Sequence, residues 1–178
     1  AEQITNIVTR MGELAASSAQ GTLDATNRSY YSDEFNKHIS EIDRISNTTE
    51  FGDYKLINGD TSALTMYIGF KNSTNDQLSI SLNVLTTGTS GLNLVSGAIS
   101  TQAGALSALD SVSAALKTIN DARAIYGAST NRLSAALNNL QVTYTNYQAA
   151  ESRIRDADFA FETAQYTRNQ IMVQAGTS

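Results

Sequence analysis

Apolar residues in the first segment fall at Ile4, Val8, Met11, Leu14 and Ala15, steps of three and four that put them on one helical face. The spacing predicts a helix over 1–20, closed by Gly21 in a left-handed conformation. The polar run TLDATNRS that follows reads as a loop with a cap available for the next helix. Tyr31, Phe35, Ile39, Ile42 and Ile45 then repeat the helical rhythm, which ends near Asn47.

The period next drops to two. Leu64, Met66, Ile68 and Phe70 alternate with polar or small residues, as do Leu78, Ile80, Leu82 and Val84. Two half-buried strands joined by KNSTND predict an antiparallel hairpin with one wet face, and Asn58-Gly59 marks a tight turn just before it. Thr86 to Ser100, rich in Gly, Ser and Thr, reads as a connecting passage. Beyond it the apolar rhythm is long: Leu109, Val112, Leu116, Ile119, Arg123, Tyr126, Thr130, Leu133, Leu137, Leu140, Tyr144, Tyr147, Glu151 and Ile154 alternate steps of three and four as a heptad seam does. Arg123 and Thr130 thin that seam around Gly127, where the helix is expected either to bend or to meet a close neighbour. The chain therefore reads as mainly α with a small β-hairpin region, an α+β elongated rod of long antiparallel helices packed as a coiled-coil-like bundle.

Composition sharpens this shape. The chain has 178 residues, 41% hydrophobic and 7% aromatic with no Trp, which suits slender packing of aliphatic stripes better than a thick core of rings. Proline is absent, so nothing breaks a long helix by removing a backbone donor. The net charge of −5 and the lack of any Lys/Arg run remove the electrostatic footprint of a nucleic-acid binder and disfavour anionic membranes. No window approaches the apolar length of a membrane span, and the N-terminus lacks the order of a secretory signal. The start at AEQIT, already helical and without Met, suggests a trimmed piece of a longer chain.

Candidate chemistry is thin. Absence of Cys removes disulfides, thiolate catalysis and Cys-based metal sites. His38 lies in helical register between Phe35 and Ile42 with no nucleophile motif near it, so it reads as a satisfied structural histidine. No phosphate-cradling glycine loop occurs. The charged stretch AESRIRDADFAFE holds Glu151, Arg153, Arg155, Asp156 and Asp158. Asp156 and Asp158 sit about 200° apart on a helix and do not converge as acid and base, so the stretch reads as a joint, with Asp158 capping a further segment. Asn27-Arg28-Ser29, Asn47-Thr48-Thr49 and Asn72-Ser73-Thr74 match the N-glycosylation pattern, which short Asn/Thr-rich stretches do easily.

Two blocks carry a family resemblance. SRIRDADFAFETAQYTRNQIMVQAGTS resembles the C-terminal conserved region of bacterial flagellin, where an SRIEDADYA type of segment leads to a QAGTS type of ending. TRMGELAASSAQGT and SEIDRISNTTEFGDYKLING resemble its N-terminal region, typically QRVRELAVQSANGT and NEIDRVSNQTQFNGVKVL. The resemblance implies a single rod domain over 1–178: N-terminal helices at 1–50, a β-hairpin and connecting loop at 51–100, a long C-terminal helix at 101–154, and the start of the C-terminal inner segment at 155–178. It implies terminal inner segments and an outer variable domain largely missing from this sequence, which on its own would then stay soluble and monomeric. It implies a non-enzymatic filament subunit without cofactors, exported unfolded with no cleaved signal. The subunit would polymerise with other flagellin subunits in the extracellular bacterial flagellum, served by an export chaperone and cap proteins. It also implies a ligand of Toll-like receptor 5, the family's contacting residues falling on Arg10, Leu14 and Glu34, while Thr9 and Gly12 depart from the family's Gln and Arg. Two alternatives remain: a hook-filament junction protein, against which the unbroken SEIDRISNTTEF and the QAGTS ending speak, and a flagellin-scaffold surface adhesin, for which the sequence shows no aromatic-lined sugar platform.

Overall fold

A computed structural model of the chain describes residues 1–177, and the backbone alone at 156–158. Helix α1 is Glu2–Ser18 and helix α2 is Ala25–Thr48. Two small antiparallel pairs follow, β1 (Glu50–Phe51) with β2 (Tyr54–Lys55) and β3 (Ala63–Tyr67) with β4 (Gln77–Ser81), and then one helix, α3, from Gln102 to Gly176.

The helix ends differ from the sequence expectation. α1 finishes at Ala19, which is right-handed, and Gly21 is not among the residues of positive φ. α2 begins earlier than its apolar stripe because the Asp24 side chain accepts from the Asn27 N–H at 2.7 Å, which caps the helix before the apolar residues start. Most of the expected loop TLDATNRS is therefore helix. α3 is capped by Thr101, whose hydroxyl accepts from the Gly104 N–H at 3.1 Å.

α1 packs against both α2 and α3 and is the middle layer of the core. The predicted stripe Ile4, Val8, Met11, Leu14 and Ala15 is buried, facing Phe35, Ile39 and Ile42 of α2. On α3 the buried column is Ala105, Ala108, Val112, Ala115, Ile119 and Ala122, and it continues half-buried or buried through Tyr126, Ser129, Leu133, Ala136, Leu140 and Thr143. Leu109 and Leu116 of the predicted seam pack half-buried against the core as expected, and the seam is corrected from Arg123 onward. Val112, Ile119, Tyr126, Leu133 and Leu140 are seam residues as expected. The small residues at 108, 115, 122, 129 and 136 share this face, whereas Arg123, Thr130, Leu137, Tyr144, Tyr147, Glu151 and Ile154 are exposed. Small side chains let helix backbones approach closely, and Gly12 of α1 makes the same allowance: a Cβ there would stand 3.3 Å from Val112 Cγ1. Gly127 meets no close neighbour, since α3 runs through it as helix and its missing side chain would touch nothing within 4 Å.

The passage expected as a plain connector is a structural layer. Leu85, Leu92, Leu94 and Ile99 are buried in the core, and polar groups fix the backbone between them. Ser46 donates to the Leu85 carbonyl at 2.9 Å and Ser18 to the Ile99 carbonyl at 2.7 Å, both buried. The Asp43 carboxylate accepts from the backbone N–H and the hydroxyl of Thr87, at 2.8 and 2.7 Å.

The predicted hairpin forms as β3–β4, with Leu64 opposite Ile80 and Met66 opposite Leu78. These four turn inward and their neighbours outward, the expected alternation. The strands stop earlier than the pattern suggests, leaving Ile68 and Phe70 in the connection. Asn58-Gly59 is the expected turn: Gly59 has φ of 99°, and the Asn58 side-chain Oδ1 accepts from the Asp60 N–H at 3.0 Å.

Candidate interaction surfaces

Two surfaces carry the functional expectations. The first lies where α1 meets α2. Arg10 Nε and Nη2 both donate to Glu34 Oε1, at 3.1 and 3.0 Å, and Nη1 donates to Glu13 Oε2 at 2.9 Å. Hydrogen bonds to Glu13 and then to Glu34 push the Arg10 pKa above its ordinary value. The pairs are solvated, so they orient the side chains more than they stabilise the fold. Of the three residues carried over by resemblance, Arg10 and Glu34 thus meet at the surface, while Leu14 is 2% exposed and belongs to the core. Thr9 donates back to the Thr5 carbonyl along α1.

His38 stands beside this cluster, and it is not the satisfied histidine the sequence suggests. Its Nε2 is buried with no hydrogen-bond partner and lies 3.7 Å from Glu34 Oε1, an oxygen already accepting twice from Arg10.

The second surface is the far half of α3. At about 1.5 Å per residue the helix is about 110 Å long, and its partners cover only the first part. Leu137, Val142, Tyr144, Tyr147, Ile154, Phe159, Phe161, Tyr166, Ile171, Met172 and Val173 are all more than half exposed. A solitary helix with so much bare apolar area lacks the burial that normally stabilises helices. The charged stretch that read as a joint is continuous helix, with Arg155 3.6 Å from Glu151 across one turn. The proposed Asp158 cap, and the expectation that Asp156 and Asp158 do not converge, concern side chains outside the described residues. Among the described residues there is no cluster of potential metal ligands.

Family comparison places this arrangement. Residues 1–62 match the bacterial flagellin N-terminal helical region and residues 109–178 the bacterial flagellin C-terminal helical region, so the matched stretches include α1, α2 and most of α3, with β3–β4 between them. A putative flagellin of Bacillus subtilis, YvzB, is 36% identical over 77% of this chain and 85% of its own length. The chain belongs to the bacterial flagellin family. The flagellar filament 33 kDa core protein of Treponema phagedenis is 32% identical over 99% of the chain, and a flagellin of Halalkalibacterium halodurans 32% over 98%. The chain spans 66% and 63% of the lengths of these two relatives. The crystal structure of Bacillus cereus flagellin superposes with a TM-score of 0.65 at 26% identity, covering 78% of both chains.

In this flagellin the sequence motifs sort by geometry. Asn27 and Asn47 of the glycosylation-like triplets are occupied within α2, donating to Asp24 Oδ2 and to the Asp43 carbonyl, while Asn72 lies exposed in the β3–β4 connection. What the sequence reading missed is the meeting of Phe70 and Tyr147, whose rings stand edge to face with centroids 5.9 Å apart. Nothing in the local pattern of either residue signals it.

Proposed function

We propose that this chain is a structural subunit of the bacterial flagellar filament, polymerising with other flagellin subunits outside the cell. The observation that carries the reading is the row of exposed apolar residues on α3 from Ile154 to Val173, area that packing against neighbouring subunits would cover. The rod domain takes in 1–178, with 155–178 as the start of the inner segment, joined to the rest through α3 as far as Gly176. An export chaperone that shields this apolar helix before assembly and a cap that seats each arriving subunit are its expected partners. The role is non-enzymatic. Ile154→Asp or Ile171→Asp, introduced into the gene product as the cell makes it, is expected to abolish filaments in electron micrographs without reducing secreted monomer. Normal filaments from both variants would overturn the reading.

A second reading is favoured by the Arg10–Glu34 pair: recognition by Toll-like receptor 5 through the exposed face of α1 and α2. Arg10 and Glu34 would make the contacts, and Leu14, from beneath, would hold α1 in place. Combined Arg10→Ala and Glu34→Ala is expected to lower a receptor-driven reporter response at least tenfold, and an unchanged response would refute it.

A further inference from the structure

Between the β3–β4 connection and α3 lies a cleft of about 420 Å3. Its floor is one face of α3, Ala136, Leu140 and Thr143, and one wall is the backbone of 68–71 with Asn75 and Asp76. Phe70 and Tyr147 close one end, each ring more than 60% exposed although the two touch.

The polar groups are held in place or left unpaired. The Lys71 N–H donates to Asp76 Oδ2 at 2.9 Å, and a Cβ at Gly69 would overlap the Asp76 carboxylate, so glycine there is what lets the carboxylate lie against the backbone. Asn139 accepts from Thr143 through Oδ1 at 3.5 Å, while among the described residues its Nδ2 has no partner. The Asn75 side chain and the Lys71 ammonium likewise have none. The cleft's charged residues are Lys71 and Asp76, which offset each other. An electrically balanced cleft is poorly matched to phosphates or acidic ligands. It offers amide donors and acceptors, a carboxylate acceptor and exposed ring faces, the set that recognises a polyhydroxylated ring by hydroxyl hydrogen bonds on its rim and C–H contacts on its face.

We propose that this cleft binds a neutral pyranose, one or two rings of a glycan, with Asn139 and Asp76 on the hydroxyls and the Phe70–Tyr147 pair against the sugar face.

The test is a two-dimensional NMR titration of the chain with the methyl glycosides of glucose, galactose, mannose and N-acetylglucosamine. At least one is expected to give saturable shifts confined to 68–76 and 136–147, with Kd of about 1 mM. Asn139→Ala and Phe70→Ala, both at exposed positions, are each expected to weaken that binding about tenfold at unchanged melting temperature. No saturable shift with any of the four sugars would overturn the proposal, as would binding that survives both substitutions. So would concentration-dependent shifts of the same residues without sugar, which would assign the cleft to a second copy of the chain.

Discussion

Asp43 shows how much can rest on one side chain. Its two oxygens hold both the backbone N–H and the hydroxyl of Thr87, and with them the start of the passage that carries Leu92 and Leu94 into the core. Hydrogen bonds to a charged partner contribute about 1.5–3 kcal/mol, and leaving Thr87 unpaired adds the cost of an unsatisfied donor. Asp43→Ala is therefore expected to lower unfolding free energy by about 2–4 kcal/mol in urea melts, with Asp43→Asn losing less because it keeps one acceptor. Gly127 gives a prediction of opposite sign. It is exposed within a helix and has open space where a methyl would go, so Gly127→Ala is expected to add about 1 kcal/mol in the same measurement.

At the scale of elements, α3 changes character along its length. Its first part presents alanines to α1, and there small size is the requirement: Ala115→Leu forces added methylenes into a closed interface and is expected to cost about 1–3 kcal/mol. Leu137 looks in sequence like a seam residue yet is 58% exposed, so Leu137→Ala is expected to change stability by less than about 0.5 kcal/mol. A pair of melts on these two variants separates the observed seam from the one that large apolar residues suggest. If both substitutions cost the same, the alanine column is not the packed one.

On the scale of the whole molecule, stability is concentrated where α1, α2, the first half of α3 and the 85–99 passage share one core. From 145 onward the described side chains of α3 are exposed, and little tertiary packing is there to repay helical order. Hydrogen exchange is expected to show strongly protected amides over 105–126 and exchange faster by at least about a hundredfold over 148–176, reflecting local opening there. Equal protection along α3 in a monomeric sample would contradict this. The same polarity suits the proposed role in a filament, for which a folded body and an apolar rod left for neighbours are needed.

The helices and the hairpin were legible in the sequence because periods of 3.6 and 2 follow from which face of a local element is buried, and Ile4 to Ala15 and Leu64 to Ile80 obey them without reference to anything distant. The family, too, was legible, in blocks at the two ends of the chain. Tertiary structure alone decided the rest. It put Ala122 and not Arg123 in the seam, and buried Ala108 and Ala115 more deeply than their neighbours Leu109 and Leu116, because how close two backbones come depends on both helices and not on the hydrophobicity of one. It turned the 85–99 connector into a core layer through acceptors and donors on α1 and α2 that lie far away in sequence. It exposed His38 Nε2 as an unpaired group, buried Leu14 away from Arg10 and Glu34, and joined Phe70 to Tyr147. Each follows from how elements distant along the chain are brought together, and no local pattern encodes that distance.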